Sequence, residues 1–448
     1  MWLQNVFVSA YGLQWKQRRF GGIFSEEYRK AKERESFTAQ QWSDYQDWHL
    51  QRILHHAFDH VPYYKKAFEE QNISRQSLAK LSANALSKLP VLLKEDLRRF
   101  GTSTLLSDKK EKGGLFFPSS GSTGTPTQIL FSHAMHQRVF ALMESRVRNW
   151  AGVNSFMPRG MIGGRRVVPN AYALPPYYRY NRAEKQVYFS AYHISKNNAQ
   201  DYLAAIKKYG VQYMTGYAMS NFLLASFMDE LDLTAPHLRC VITSSEKLTP
   251  KMREVFLKVY GCKTFDGWSG LENCGLVSEC EQGSLHVSPD AGIIELLDDK
   301  MQPVDAGSPG RVYCTGFLNY DQPLIRYDIG DTMVASNESC ACGRHMPVIR
   351  EIIGRNEDVV YGKDGRAMVR FHSIFNGLRS IKQAQVIQES TELIRIKVVP
   401  DGNVAPQELV IMKERIRSQL GDVDVLIEQV ETIDQTKNGK FKAVISRL

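Results

Sequence analysis

This 448-residue chain reads as an α/β protein: a large N-terminal domain of mostly parallel sheet covered by helices, carrying a β-rich subdomain, followed by a small α+β domain at the C-terminus. Three observations predict it. Between 187 and 266, short runs of β-branched and aromatic residues alternate with amphipathic segments of helical period, the pattern of repeated βα units. From Gly292 the strand-like runs shorten and follow one another directly. Beyond Gly354 three such runs surround a single amphipathic helix.

In order, residues 1–100 read as a helical region packed on the large domain, residues 101–353 as the large domain, and residues 354–448 as the terminal unit. From Gln40 to Val61, Trp42, Trp48, Leu50, Ile53, Leu54, Ala57, Phe58 and Val61 recur near the helical period, and Pro62 marks the end. His49, His55, His56 and His60 on that segment are expected to be ordinary helix histidines and not metal ligands. The first 35 residues mix Trp2, Phe7, Tyr11 and Trp15 with Lys16, Arg18 and Arg19. They are expected to pack on the body, with docking on a membrane surface as the less favoured alternative.

The βα region comprises strands at 187–191, 211–214, 239–243 and 263–266, with helices at 198–209, 221–231 and 251–260. In such sheets ligands sit beyond the carboxyl ends of the strands. The polar breaks at Tyr217, Glu246 and Trp268 to Glu272 are therefore expected to converge on one cleft. Strands at 293–297 and 310–315 begin the β-rich part. The terminal unit is expected to hold strands at 383–388, 393–399 and 423–430 and a helix at 406–420.

A composition of 43% hydrophobic and 23% charged residues describes a globular protein, and no run approaches the roughly 18 apolar residues of a membrane span. The apolar N-terminus lacks the basic leading region of a cleaved signal, which points to a cytoplasmic address. A net charge of +9 suits anionic ligands, but no nucleic-acid module accompanies it. Seven scattered cysteines argue against a disulfide framework.

Two constellations carry chemistry. The stretch Ser119-Ser120-Gly121-Ser122-Thr123-Gly124-Thr125-Pro126-Thr127 concentrates hydroxyls and glycines between two apolar runs. Such a loop is either a linker or a polyphosphate cradle, since glycine admits close backbone approach and hydroxyls add donors. Cys280, His286, Cys340 and Cys342 supply four ligands of the kind structural zinc prefers, although the Cys-x-Cys spacing is tighter than usual.

The loop resembles the phosphate-binding loop of the adenylate-forming enzymes, which include acyl-CoA synthetases, and four further stretches match that family in order. They are Trp268-Ser269-Gly270-Leu271-Glu272, Arg326-Tyr327-Asp328-Ile329-Gly330-Asp331, Gly354-Arg355 and Asn438-Gly439-Lys440. Val61-Pro62-Tyr63-Tyr64, Leu89-Pro90-Val91, Gly216-Tyr217, Thr243 to Leu248, and Thr127 itself resemble the phenylacetate-CoA ligase and capsule-synthesis (CapK-like) branch.

The resemblance implies an ATP-dependent ligase that activates a small carboxylic acid as its acyl-adenylate and passes the acyl group to CoA or another acceptor, in one setting for surface-polysaccharide assembly. It implies that Ser119, Ser120, Gly121, Ser122, Thr123, Gly124 and Thr127 hold phosphates, Glu272 holds Mg²⁺, Asp331 the ribose and Arg355 a ribose or phosphate oxygen. Lys440 would be the catalytic cation, on a mobile lid hinged near Glu357 or Asp358. Tyr192, Tyr217, Glu246 and Trp268 are the substrate-pocket candidates. Some members of the branch carry zinc on residues arranged like Cys280, His286, Cys340 and Cys342. Leu271 and Ser269 stand where the family has Thr and Gly, which removes a phosphate-contacting hydroxyl and weighs against CoA as the acceptor. The alternatives are an adenylyltransferase that leaves AMP on its product, and a non-catalytic protein of the same fold.

Overall fold

The helix Ala39–His60 shows how local sequence sets the scaffold. Thr38 caps it in a capping box, its hydroxyl accepting from Gln41 N at 3.2 Å while the Gln41 side chain accepts from Thr38 N at 2.8 Å. The helix stops because Val61, preceding Pro62, is held in extended conformation. Its Leu50, Ile53, Leu54 and Ala57 are fully buried. His56 bonds the Tyr320 carbonyl at 2.8 Å and His60 pairs with Asp108, so these two histidines tie the helix to its neighbours. The computed structural model describes residues 2–119, 126–168, 170, 173–353, 360–363, 367–368, 371–375, 378, 380–400, 402–433 and 443–448.

The strands, in chain order, are β1 (Leu115–Pro118), β2 (Gln128–Phe131), β3 (Arg159–Gly163), β4 (Tyr178–Asn181), β5 (Gln186–Ser190), β6 (Tyr213–Tyr217), β7 (Cys240–Ser244), β8 (Lys263–Trp268), β9 (Val277–Glu279), β10 (Leu285–Val287), β11 (Gly292–Leu297), β12 (Pro309–Gly316), β13 (Tyr327–Ser336) and β14 (Val348–Ile352). β1 and β2 form an antiparallel hairpin. The other twelve join one sheet in the order β11-β12-β13-β14-β10-β9-β8-β7-β6-β3-β5-β4.

The run β8-β7-β6-β3-β5 is parallel and the rest is antiparallel. The β-rich part is therefore not a separate sheet: β9 pairs with β8 and continues the same ladder. Helices Ala199–Lys208, Ala218–Glu230 and Pro250–Tyr260 are the crossovers of the parallel half, close to their expected bounds. The last begins at a Thr249 cap followed by Pro250 and ends at Gly261, whose φ of +63° suits glycine.

Beyond them lie a two-stranded pair, β15 (Val360–Tyr361) and β16 (Ala367–Met368), and a four-stranded sheet of β17 (Ile381–Gln388), β18 (Leu393–Pro400), β19 (Asp424–Gln429) and β20 (Val444–Ser446) in the order β19-β18-β17-β20. The helix Pro406–Leu420 buries Met412, Ile416 and Leu420 in that unit's own core.

The N-terminal helix Trp2–Phe20 lies along β4 and the helix His133–Leu142. Arg18 donates to the carbonyls of Gly113 and Phe131 at 2.6 Å each, and Arg19 pairs with Glu184 at 3.0 Å. Gly12 permits the approach, since a Cβ there would sit 2.3 Å from the Asn181 side chain. No helix among the described residues is long and apolar enough to cross a membrane.

Candidate functional site

The carboxyl ends of β6, β7 and β8 open into a cavity of about 730 Å³. Tyr217, Glu246, Trp268, Glu272 and Asp331 line it together, with Ser119 and Pro126 at the neck of the β1–β2 loop. The polar breaks thus converge on one cleft. Gly216 makes the β6 turn: its φ is +123° and a Cβ would lie 1.9 Å from the Ile162 carbonyl.

Two carboxylates face this space, each oriented by a neutral aromatic donor. Tyr327 Oη donates to Glu272 Oε1 at 3.0 Å, and Trp268 Nε1 donates to Asp331 Oδ2 at 2.9 Å. Burial, then the Glu272 charge, hold the Tyr327 hydroxyl well above its ordinary range, so it remains a donor. Gly270 makes room for the first carboxylate, because a Cβ there would meet Glu272 Oε2 at 2.5 Å.

The Arg326 to Asp331 stretch divides its labour. Arg326 is buried, with Nε and Nη2 each 3.1 Å from Glu295 and Nη1 donating to the Leu89 carbonyl at 2.8 Å. Asp328 receives two bonds from Arg311. Gly330, at φ +84°, turns the chain so that Asp331 reaches the cavity. Leu92 pairs with Tyr327 as an isolated bridge, and Tyr64 Oη donates to Pro323 O and accepts from Ile325 N at 3.0 Å each. The stretches 61–64 and 89–91 therefore brace this segment from behind.

Ser119 and Thr127 clasp the loop neck. Ser119 N donates to Thr127 O at 2.8 Å, and Ser119 Oγ accepts from Thr127 N and Oγ1 at 3.0 and 2.8 Å. Thr127 is wholly buried and stands behind the cavity wall, outside the lining. Ser120, Gly121, Ser122, Thr123, Gly124, Arg355, Glu357, Asp358 and Lys440 lie outside the described residues.

Glu246 accepts from Met219 N at 2.8 Å and so steadies the start of the helix Ala218–Glu230. Tyr192 is not in the lining: its hydroxyl donates to Gly164 O at 3.0 Å and its ring joins the apolar cluster of Val360 and Met368. Leu271 lines the cavity and packs on the main core, while Ser269 Oγ bonds within its own turn to Gly270 O at 3.2 Å.

Sequence reasoning missed two contributors. Asp266, at the end of β8, lines the cavity; burial, with Glu279 adding to it, pushes its carboxyl up to about 7. Its place just before the Trp268 motif was the available signal. Tyr11, Trp15 and Arg19 of the N-terminal helix form the facing wall, and nothing in their pattern distinguished them from packing residues.

Cys280, His286, Cys340 and Cys342 present ligand atoms all within 4.8 Å of one another. Cys280 Sγ lies 3.6 Å from Cys340 Sγ, and Cys342 Sγ lies 3.3 Å from His286 Nε2. His286 Nδ1 is 3.2 Å from the Met346 carbonyl, which orients the ring with Nε2 inward. Burial works to raise Cys340, but hydrogen bonds from Ser284, Cys342 N and His286 bring it down to about 6, while burial lifts Cys280 to about 11. A tetrahedral zinc–thiolate site sets sulfurs about 3.8 Å apart, so the set fits that ion. The cluster ties the β9–β10 hairpin to the β13–β14 loop within the antiparallel half; it does not join two sheets, and none of its residues lines the cavity.

The family described as the CapK C-terminal domain matches residues 360–447. Protein CapK of Staphylococcus aureus is 22% identical over 99% of this chain and 97% of its own length. Phenylacetate-coenzyme A ligase of Thermus thermophilus is 23% identical over 70% of each chain. Among solved structures, 2-hydroxyisobutyryl-CoA ligase in complex with 2-HIB-AMP and CoA, in the thioesterification state, superposes with a TM-score of 0.60 at 19% identity, covering 92% of this chain and 91% of that one. Its open conformation gives 0.55, covering 92% and 93%.

Proposed function

On a chain that resembles the adenylate-forming enzymes, in their phenylacetate-CoA ligase and CapK-like branch, we propose an ATP-dependent ligase that activates a small carboxylic acid as an acyl-adenylate. The substrate carboxylate attacks the α-phosphate, forming an acyl–phosphate bond as the bond to pyrophosphate breaks. An acceptor then attacks the acyl carbon and AMP leaves. One observation carries the reading: Glu272 and Asp331 face a single cavity with the clasped neck of the Ser/Gly loop, each oriented by a neutral aromatic donor. A further support is that the ligases named above are themselves relatives or structural neighbours.

In this proposal residues 119–127 hold the β- and γ-phosphates, Asp331 the ribose, and Arg355 a ribose or phosphate oxygen. Glu272 would hold Mg²⁺, which supplies charge neutralisation for the departing pyrophosphate. Lys440, on a lid beginning near 354, would stabilise charge developing between carboxylate and α-phosphate. Trp268 and Tyr217 bound the acyl end. CoA is the acceptor suggested by the ligases; a sugar, amine or carrier is the alternative suggested by Leu271 and by the likeness to CapK.

ATP–pyrophosphate exchange against a panel of carboxylic acids is the test. The expected outcome is acid-dependent exchange that Lys440→Ala abolishes; exchange with no acid sinks the proposal. We propose separately that Cys280, His286, Cys340 and Cys342 bind structural zinc. Metal analysis of the purified protein should give one zinc per chain, and a chelator or Cys342→Ser should lower Tm by several °C without altering the acid preference.

A further inference from the structure

Beside the main cavity lies a second one of about 200 Å³ that shares with it the wall of Tyr11, Trp15, Arg19 and Arg165. Its remaining charged lining is Arg166, Arg179 and Glu184. Glu184 is already committed: it pairs with Arg19 at 3.0 Å and Arg159 at 3.6 Å, and accepts from Asn181 Nδ2 at 2.7 Å and Tyr188 Oη at 3.3 Å.

The other three arginines have no carboxylate partner among the described residues. Arg165 lies over the Tyr188 ring, and among the described residues Arg179 bonds the carbonyls of Pro176 and Tyr178. Arg166 Nη2 is buried with no hydrogen-bond partner among the described residues. Arg166 also stands close enough to Arg415, on the helix of the terminal sheet, that after burial its charge further depresses the Arg415 guanidinium. Arg165 is exposed and Arg166 and Arg179 are partly buried, so the cost of this cluster falls chiefly on the buried, unsatisfied Arg166 Nη2, which an anion would relieve; arginine binds phosphate and carboxylate in matched pairs of hydrogen bonds.

We infer that this cavity binds a second oxyanion, a phosphate or carboxylate carried at the remote end of the molecule whose reacting end occupies the main cavity. The rings of Tyr11, Trp15 and Tyr188 line the same cavity, and Tyr188 lies under the Arg165 guanidinium. The inference rests on the carboxylate-activation reading and narrows it: the molecule bearing the second oxyanion is either the acid itself or the acyl acceptor.

Two matched series separate these sources. In pyrophosphate exchange, butyrate, hexanoate and octanoate are compared with succinate, adipate and suberate and with the ω-phosphorylated acids of the same lengths. In acyl transfer from the adenylate, ethanolamine is compared with phosphoethanolamine. If the acid carries the oxyanion, at least one of the dianionic acids has a lower KM than its monocarboxylate, and Arg166→Ala raises that KM roughly tenfold or more while leaving the monocarboxylate within about twofold. If the acceptor carries it, the same contrast is seen only in the transfer step. Arg166→Gln provides a second variant should the first be poorly folded.

Direct binding of phosphoethanolamine, followed by calorimetry, is expected to weaken by a similar factor in Arg166→Ala. Equal binding in wild type and both variants overturns the inference, even if no acid supports exchange and the activation reading itself has failed. Exchange with monocarboxylates, no preference for an anion in either series and no effect of Arg166 overturns the inference alone.

Discussion

The two walls of the main cavity hold their polar groups in different ways. On the strand-end wall, Trp268 and Tyr327 direct neutral N–H and O–H donors at Asp331 and Glu272, and Glu272 has no ion-pair partner among the described residues. On the helix wall, Arg19 is balanced by Glu184, and its neighbour Arg18 by backbone carbonyls. The first arrangement orients carboxylates on the cavity wall. The second anchors a helix and shapes space. A neutral donor preserves a carboxylate's capacity to bind a cation or a hydroxyl, whereas an ion pair consumes it.

Four substitutions test that contrast. Glu272→Gln keeps shape and the Tyr327 contact but removes the charge; pyrophosphate exchange should fall by roughly 10²–10³-fold in kcat with folding intact. Full activity in that variant would make the strand-end wall merely structural. Trp268→Phe deletes the donor to Asp331 and should raise the KM for ATP about tenfold with a smaller change in kcat.

Asp266→Asn tests the pH behaviour of the same wall. With its folded-state value near 7 and an ordinary value near 4, the native state retains a proton that the unfolded chain has released between those values. Stability therefore declines as pH rises through that window and levels off above it. Asp266→Asn should remove the slope and be more stable at pH 8 by roughly 1–3 kcal/mol, measured by urea unfolding at several pH values. An unchanged slope would show the carboxyl to be an ordinary one.

The smallest effect is expected on the helix wall. Trp15→Leu should shift the KM for the preferred acid by about three- to tenfold and leave the KM for ATP unaltered. If both constants moved together, the helix would be supporting the whole site and the contrast would fail.

The same contrast explains what the sequence could disclose. Glu272 and Asp331 were marked only by the likeness of their motifs to those of the adenylate-forming enzymes, whereas the alternation of strands and helices from 186 to 268 was nearly complete in the sequence itself. Their partners did not stand out. That Tyr327 would aim at Glu272, while Arg326 and Asp328 were taken up by Glu295, Leu89 and Arg311, depends on which faces of β13 meet which neighbours.

Tyr192 misled because it ends a strand of the parallel sheet, as pocket residues often do; its chain turns into a short 3₁₀ segment and buries the ring elsewhere. The continuity of β8 with β9 was hidden because antiparallel pairing across a turn leaves the same signature in a separate sheet as in an extended one. Trp15 and Arg19 were illegible for a simpler reason: an amphipathic pattern shows that a helix packs, not what it packs against.

The N-terminal helix also constrains how the chain is made. Arg19 finds Glu184 only 165 residues later, and Asn5 meets Tyr180 across 175. At about 5–20 residues per second, the helix emerges on the order of 10–30 s before these two partners. During that interval the helix can be held only by its earlier partners, with Trp15 against Phe117 and His136 and Arg18 on the Gly113 and Phe131 carbonyls. The cavity wall that carries Trp15 and Arg19 is therefore completed only once residues 180–184 have been made.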